Sequence, residues 1–428
     1  MVTSALDRRL GLGDAVFIGL GSMIGAGVFA AFAPAARAAG NGLLIGLAVA
    51  AFVAFCNATS SAQLAAVYPV SGGTYVYGRM QLGPWWGFLA GWSFLVGKTA
   101  SCAAMALTFA AYAAPTGWER PVAVAAVAAL AAVNYRGVTR TALATRIIVS
   151  GVLISLAVVV AAGASTGLPF VGDAVGGGVV GAGLLSGGWY GILQSAGLLF
   201  FAFAGYARIA TMGEEVREPS RTIPAAITVA LALTVAIYAA IAVTVLGTVG
   251  PDAVAGSAAP LALTVQEAEW AWAVPVVRIG GAAASLGALL ALIAGVGRTT
   301  LAMAREGDLP TWLAGVHPRF KVPHRAEVVL AIVVAILVLG VDLRGAIGFS
   351  SFGVLLYYFV ANAAAFTQPR EQRRYPKVLQ LAGGAGCLIL VATVPPLAIA
   401  VGIGVLLVGI GYRSLALARA RPRPRGPA

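Results

Sequence analysis

About twelve apolar segments, most of them near or above the roughly 20 residues that span a lipid bilayer, follow one another along this chain. Only 10% of the 428 residues are charged, whereas a soluble domain carries roughly 25%. We therefore predict an all-α integral membrane protein with about 12 transmembrane helices. Their approximate cores are 13–39, 41–66, 85–113, 121–135, 146–163, 190–212, 224–248, 274–304, 326–341, 345–366, 378–396 and 398–416.

The basic residues between these segments indicate an orientation. With the N-terminus inside the cell, the larger Lys/Arg clusters fall on the cytoplasmic side, and the other side receives only Arg37, Arg120, Arg278 and Arg344. The positive-inside rule then places both termini in the cytoplasm of a multi-pass protein of the cell (inner or plasma) membrane. Topology thus accounts for the net charge of +13 without a nucleic-acid partner. The basic tail, 417–428, is expected to lie near anionic lipid headgroups.

Residue types that carry catalysis or bind metals are sparse in the predicted helices. Cys56, Cys102 and Cys387 lie singly in apolar segments, and His317 and His324 share one basic loop. The sequence therefore predicts no disulfide framework, no metal site and no cofactor. Hydrolysis within the membrane would need a nucleophile with a base, paired aspartates or a metal at depth. The core helices offer no histidine and no aspartate pair, so we do not expect an enzyme.

The stretch GLGSMIGAGVFA, residues 19–30, places four glycines in an otherwise apolar helix. A dinucleotide-binding loop would need a preceding strand and an acidic residue about 20 positions further on. No acidic residue occurs between Asp14 and Glu119, which decides against a nucleotide site. Two explanations remain, a face for close helix packing and a membrane helix that is interrupted at mid-depth.

Helix packing explains Gly21 and Gly25 as a pair, but it does not need Gly27 as well. Each glycine within a helix costs about 1 kcal/mol relative to alanine. A Gly-Ala-Gly triplet therefore predicts local unwinding of the first helix. The sixth helix has a comparable anomaly, with Gly205 in mid-segment and Arg208 soon after. Two interruptions roughly 180 residues apart, each opening a block of about five helices, are typical of inverted-repeat transporters.

The physical chemistry of two such interruptions predicts a ligand class. Unwound backbone at membrane depth is tolerated only where it lines a cavity. Its free N–H groups attract an anion, and its free C=O groups attract a cation. An α-amino acid carries both charges a short distance apart. No acidic side chain at mid-depth is present to receive a cationic substrate, so a neutral amino acid is the favoured small-molecule partner.

Four motifs, in the same order, resemble those of the amino acid–polyamine–organocation (APC) transporters. They are GLGSMIGAGVFAAFAP, YPVSGGTYVYGRMQLGPWWGFLAGW, FFAFAGYARIATMGEEVREPSRTIPAAI and AMAREGDLPTWLAGVHPRFKVPHRA. The resemblance implies a leucine-transporter-type 5+5 inverted repeat in which helices one and six are broken. The implied divisions are a first repeat at 13–163, a second at 190–366, two extra helices at 378–416 and a cytoplasmic tail at 417–428.

The resemblance also implies a substrate site made largely of backbone atoms. Amides around Gly25, Ala26 and Gly27 would hold the substrate carboxylate. Carbonyls at the two interruptions would hold the amino group, namely those near Met23, Ile24, Phe201, Ala204 and Gly205. An aromatic ring, Phe201 or alternatively Phe203, would close over the substrate.

Lys98 is the only lysine in a predicted membrane core. A charge there is costly, and an ionisable group within the membrane indicates function by default. Many members of the resembling family carry a fifth-helix lysine in place of a sodium ion, and Val152 occupies that position here. Three interpretations of Lys98 remain open. It replaces the missing lysine as a cation or a proton-releasing group, it faces an acidic substrate side chain, or it is structural, bonded to unwound carbonyls or snorkelling.

Arg208 follows the second interruption and precedes Glu214 and Glu215 by one or two helical turns. We predict an ion pair between Arg208 and these carboxylates at the inner gate, with a substrate-facing role as the alternative. A solvated cytoplasmic surface explains the two glutamates equally well.

The sequence as a whole predicts a secondary-active transporter that moves a zwitterionic, neutral amino acid by alternating access. Proton symport through Lys98 is the favoured coupling. Sodium coupling, exchange, and transport of acidic amino acids or amines remain open. A membrane channel or a non-transporting amino acid sensor is the alternative from a different class.

Overall fold

The computed structural model describes residues 10–69, 72–137, 142–167, 182–185, 187–213 and 215–420, which are almost entirely helical. The helices are α1 (Leu12–Ile24), α2 (Gly27–Ala30), α3 (Phe32–Ala39), α4 (Leu43–Val67), α5 (Thr74–Leu82), α6 (Pro84–Ala113), α7 (Glu119–Tyr135), α8 (Ala142–Ser165), α9 (Gly188–Phe203), α10 (Ala207–Ala210), α11 (Pro219–Val249), α12 (Pro251–Gly256), α13 (Pro260–Glu267), α14 (Val274–Arg305), α15 (His324–Gly340), α16 (Leu343–Thr367), α17 (Lys377–Thr393) and α18 (Pro396–Ala420). A parallel bridge between Leu10 and Val216 joins the segment before α1 to the segment after α10.

Nine helical segments in this described part of the chain are long and apolar enough to cross a membrane. Three other helices that were predicted to span, α7, α15 and α17, have 17 residues each. At ~1.5 Å per residue they are about 26 Å long, slightly less than the roughly 30 Å hydrocarbon core. The structure confirms an all-α protein with several membrane-type helices. The count of twelve, the inverted repeat and the domain divisions stay predictions.

The first predicted helix is interrupted where the Gly-Ala-Gly triplet lies. α1 ends at Ile24, Gly25 departs from helical geometry with φ −33° and ψ −124°, and α2 begins at Gly27. Within the described residues, the amides of Ala26 and Gly27 have no hydrogen-bond acceptor. We call residues 22–27, which comprise the end of α1, the interruption and the start of α2, the first break.

The sixth predicted helix is interrupted in a different way. α9 ends at Phe203, a 3₁₀ turn covers Ala204–Tyr206, and α10 resumes for four residues. The chain is thus tightened rather than unwound, because Phe203, Tyr206 and Ala207 keep right-handed helical angles, although the ψ of Ala204 is 2°. A 3₁₀ turn still shifts the hydrogen-bond pattern and leaves carbonyls without their usual partners. We call residues 202–206, which comprise the end of α9 and the 3₁₀ turn, the second break.

α6, the helix that carries Lys98, is held firmly against α16. A Cβ on Gly353 would lie 2.6 Å from the backbone oxygen of Ser93, so only glycine fits this contact. The hydroxyls of Ser101 and Ser350 lie 2.6 Å apart and share a hydrogen bond across the same interface. This packing fixes the height of Lys98 relative to the two breaks.

Candidate functional site

The two breaks are packed against each other. A Cβ on Gly205 would lie 2.3 Å from the backbone carbon and oxygen of Ser22. A Cβ on Gly27 would lie 2.6 Å from the Cα of Ala202. Real Cβ atoms do not approach other atoms this closely, so both glycines are required by the contact rather than by a turn. The structure therefore brings together the two regions that the sequence singled out.

Tyr238, on α11, links the carbonyls of the two breaks. Its hydroxyl lies 2.6 Å from the carbonyl oxygen of Met23 and 3.0 Å from that of Ala202. The side chain is fully buried, and a buried tyrosine hydroxyl needs such a partner. The Met23 carbonyl, predicted to hold the substrate amino group, thus already has a donor within the protein. Sequence reasoning missed Tyr238, because its long apolar helix gives no sign of which carbonyls it reaches.

Lys98 reaches the second break. Its Nζ donates to the carbonyl oxygen of Ala204 at 3.3 Å, and the hydroxyl of Tyr358, on α16, donates to the same oxygen at 3.3 Å. Lys98 is 8% exposed. Of the three interpretations, the structure shows the contact with a break carbonyl, and within the described residues Lys98 forms no salt bridge. Whether it also couples transport stays a prediction.

The two phenylalanines proposed as lids differ in their surroundings. Phe203 is fully buried, and its ring packs on Tyr238 with centroids 5.1 Å apart. Phe201 retains 8% exposure and belongs to the apolar cluster that contains Ala26 and Ala288. Core packing accounts for Phe203, whereas Phe201 lies beside the first break. The geometry therefore favours Phe201 for the lid role, which itself stays a prediction.

Behind the first break lies a small cavity of about 20 Å³, lined by Gly21, Ile24, Gly25, Thr145, Ile148, Val149, Val152, Ala284, Gly287 and Ala288. A volume of roughly 10–15 Å³ is needed for one water molecule. Val152 lies where the family resemblance puts a lysine, so an apolar side chain lines the cavity at that point. Gly25 faces α14, where its Cβ would meet the Ala288 Cβ at 2.7 Å.

On the predicted cytoplasmic side of the second break, Arg208 approaches Glu215. The distance from Nη2 to Oε1 is 3.6 Å, with 38% and 31% of the side chains exposed. Arg208 also contacts the Thr211 hydroxyl at 3.4 Å. The predicted pair is thus present for Glu215, while Glu214 lies outside the described residues. The role of this pair as an inner gate stays a prediction.

A second polar cluster, missed by sequence reasoning, surrounds Asp308. This carboxylate, which is 3% exposed, accepts hydrogen bonds from Tyr75 at 2.9 Å, from Arg79 at 3.1 Å and from Arg413. Arg79 also pairs with Glu306 at 3.1 Å. Burial, and next the nearby Asp308 charge, raise the pKa of Tyr75 well above its ordinary value, so this hydroxyl stays protonated and donates.

The Asp308 cluster explains why two loop motifs stand out in the sequence. Tyr75 and Arg79 come from the GGTYVYGR stretch, and Asp308 comes from the AMAREGD stretch. Arg413 extends the contact to α18. Its guanidinium carbon lies 5.0 Å from the centroid of the Trp85 ring and 4.8 Å from that of the Phe88 ring. The two motifs therefore connect α5, the segment that follows α14, and α18. They include no residue of either break.

Comparison with known proteins agrees with this architecture. The amino acid permease family model matches residues 10–416. An uncharacterized transporter of Mycobacterium tuberculosis is 59% identical over 394 residues, covering 92% of this chain and 88% of the relative. A branched-chain amino acid permease of Bacillus subtilis is 25% identical over 418 residues, covering 92% and 86%. A methylthioribose transporter of Bacillus subtilis is 29% identical over 401 residues, covering 85% and 80%.

Relatives with these names are transporters rather than enzymes, and the family match extends across both breaks and the Asp308 cluster. The membrane-type helices fit the same conclusion. This chain belongs to the amino acid permease family of the APC transporters.

Proposed function

We propose that this protein is a secondary-active transporter that moves a zwitterionic, neutral α-amino acid across the cell membrane by alternating access coupled to protons. The observation that carries the proposal is the direct packing of the two breaks, Gly27 on Ala202 and Gly205 on Ser22. This packing puts backbone donors and backbone acceptors close together in a buried region. Both termini would lie in the cytoplasm.

The first break supplies the group that would hold the substrate carboxylate. The amides of Ala26 and Gly27 are buried and have no acceptor within the described residues. Buried N–H groups normally have a partner, and a carboxylate oxygen would provide one. Gly25 would contribute a third amide from the same turn.

The second break supplies carbonyls that would hold the amino group, together with the carbonyl of Ile24. Ala204 is the best placed of them, because its oxygen is reached by donors from both α6 and α16. Phe201 would then close over the bound amino acid. Its place beside Ala26 in one apolar cluster supports this role.

The named relatives support a small organic substrate. The printed name of one Bacillus subtilis relative refers to branched-chain amino acids, which are neutral, and that of another refers to methylthioribose. The neutral amino acid is favoured here because the described residues provide donors and acceptors for both charges of a zwitterion. The hydroxyls of a sugar could also pair with these groups, but they carry no charge, so the stronger charge-assisted hydrogen bonds of a zwitterion would be missing.

Coupling and gating complete the proposal. Lys98 is the proposed proton carrier, since it lies at the second break and an apolar Val152 lines the cavity where the family resemblance puts a lysine. Arg208 and Glu215 would form part of the inner gate, because they lie between the second break and the bridge at Val216.

Counterflow in proteoliposomes, at equal pH on both sides, tests the proposal. Vesicles loaded with single amino acids should accumulate the same labelled amino acid, with saturation that a channel would not show. Gly25→Leu should abolish this exchange, because its side chain would collide with Ala288. Gly151→Leu is the matched control, since a Cβ there meets no atom within 4 Å.

Folding of each variant would be checked by size-exclusion chromatography. Exchange of a neutral amino acid that survives Gly151→Leu but not Gly25→Leu supports the proposal. Binding without exchange would indicate a sensor, and exchange of methylthioribose alone would contradict the amino acid assignment.

A further inference from the structure

The carbonyl oxygen of Ala204 would have more hydrogen-bond donors than it can accept from. The Ala204 carbonyl accepts from Lys98 and from Tyr358, both at 3.3 Å, and a carbonyl oxygen has two lone pairs. The proposed function assigns the same oxygen to the amino group of the substrate. We propose that the protonated Lys98 occupies the substrate's amino-group subsite in the empty protein, so that proton and substrate bind in competition and are exchanged in opposite directions.

This inference rests on the proposed function, and it changes the sign of the coupling that the sequence favours. In symport, proton and substrate are bound together in the loaded state. Here the loaded state would carry a neutral Lys98, and the empty state a protonated one. Binding of a zwitterion would release one proton from Lys98 to the water on the open side. Once the substrate has left on the other side, Lys98 would take up a proton there, and the empty protein would return with it.

Of the two donors on Ala204, Lys98 is the one that can leave. The Tyr358 ring is fully buried and packs on Phe200, Tyr206 and Tyr357, with centroids 5.8, 4.9 and 5.1 Å away. A side chain packed on three sides has no alternative rotamer without disturbing its neighbours. Lys98 has a flexible four-carbon stem, and its one hydrogen bond in the described residues is the long contact with Ala204.

The charges around the subsite favour one cation at a time. Cys102 lies one helical turn further along α6, and Tyr358 on α16 donates an uncharged hydroxyl to the same carbonyl oxygen. Among the described residues of the elements packed against α6, which include α2, α5, α14 and α16, no carboxylate forms a salt bridge with Lys98.

Two ammonium groups on one carbonyl, without a carboxylate between them, would repel each other in a buried site. The arriving amino group therefore requires Lys98 to lose its proton or its place. If Lys98 loses its proton, the repulsion between the two ammonium groups disappears. If the charged Lys98 side chain instead moves elsewhere in the buried region, the free-energy cost of keeping a charge out of water remains. Competition between a proton and a substrate for one subsite is the condition for obligatory exchange.

The direction of the pH-gradient effect on uptake separates the two mechanisms. Proteoliposomes would be held at a fixed external pH with the membrane potential clamped, and the internal pH would be varied. Exchange predicts that an acidic interior accelerates uptake of the amino acid identified by counterflow. Acceleration by an acidic exterior, or no effect of the gradient, would overturn the inference while leaving the transporter assignment intact. Loss of counterflow at equal pH would instead contradict the proposed function.

Equilibrium binding gives an independent test that needs no transport. Wild-type affinity for the amino acid should rise with pH, by up to about tenfold per pH unit, because one proton is released on binding. Lys98→Met should abolish this pH dependence, and Lys98→Arg should weaken binding at every pH, because arginine keeps its charge. The basic but distant Arg278→Gln should keep the wild-type pH profile. Affinity that falls with rising pH, or a site that binds only acidic amino acids, would overturn the inference.

Discussion

The two breaks both interrupt a buried helix, but their backbones do so in opposite ways. At the first break the chain leaves the helix, and the buried amides of Ala26 and Gly27 have no acceptor within the described residues. At the second break the chain tightens into a 3₁₀ turn, and the Ala204 oxygen is filled by Lys98 and Tyr358. The donor side of the site is thus open to an anion, whereas the protein occupies the acceptor side itself.

Under the proposed function, the two charges of a zwitterion would therefore meet unequal sites. A carboxylate would add hydrogen bonds that the protein lacks, so its binding needs no displacement. An amino group would have to replace a donor that is already in place. The carboxylate half is therefore expected to contribute more to affinity, and the amino half more to the coupling with protons.

The largest expected effect comes from separating the breaks. Gly205→Ala should eliminate counterflow and lower the thermal stability of the purified protein, because its Cβ would lie 2.3 Å from the Ser22 backbone. Overpacking of this kind costs about 1–3 kcal/mol or more. Gly27→Ala should have a similar effect, and Gly151→Ala none. Full activity of Gly205→Ala would show that the breaks need not touch.

A smaller effect is expected when the link between the breaks is removed. Tyr238→Phe leaves the buried Met23 and Ala202 carbonyls without that donor, at a cost of about 1–3 kcal/mol in unfolding free energy. Tyr358→Phe should cost less, because Lys98 still donates to Ala204. Thermal denaturation in detergent measures both. Equal losses for the two variants would mean that the breaks are held by other contacts.

The smallest effect is expected at the exposed ion pair near the second break. Glu215→Gln should change stability by less than about 1 kcal/mol, because Arg208 and Glu215 are both partly exposed and 3.6 Å apart. A gate role predicts a faster or leakier exchange with little change in affinity. Counterflow and binding measured at two salt concentrations test this, and a large loss of affinity would place Arg208 in the substrate site instead.

The positions of the two breaks could be predicted from the sequence, but the difference in their backbone geometry could not. Repeated glycines predicted the interruption at Gly25–Gly27, although for a reason that was only partly right, because Gly27 is required by its contact with Ala202. They also indicated Gly205, but not that the second break is a 3₁₀ turn, since Ala204 and Tyr206 are compatible with helical angles. Three interpretations of Lys98 stayed open, because the hydropathy of the sequence indicates how deep a residue lies in the membrane but not which helix its side chain faces.

Apart from the pairing of the two breaks, contacts between distant parts of the chain had no signal in the sequence. Tyr238 and Asp308 each gather groups from several elements, and their sequence neighbours indicate none of these partners. Asp308 lies in a motif that the family resemblance identified, yet its function in holding α5 and α18 follows only from the packing. Such residues are recognisable from sequence only as polar groups in places where burial would be costly.

The central claim is that the two breaks form one site for both ends of a zwitterion. It is tested most directly by competition for binding between the amino acid identified by counterflow and two analogues, one lacking the carboxylate and one lacking the amino group. Each analogue is expected to bind at least about tenfold more weakly, because the amine leaves the amides of the first break unpaired and the acid lacks the hydrogen bonds of the amino group. The acid that lacks the amino group should remain the better of the two. An analogue that competes as well as the amino acid would show that one break takes no part in binding.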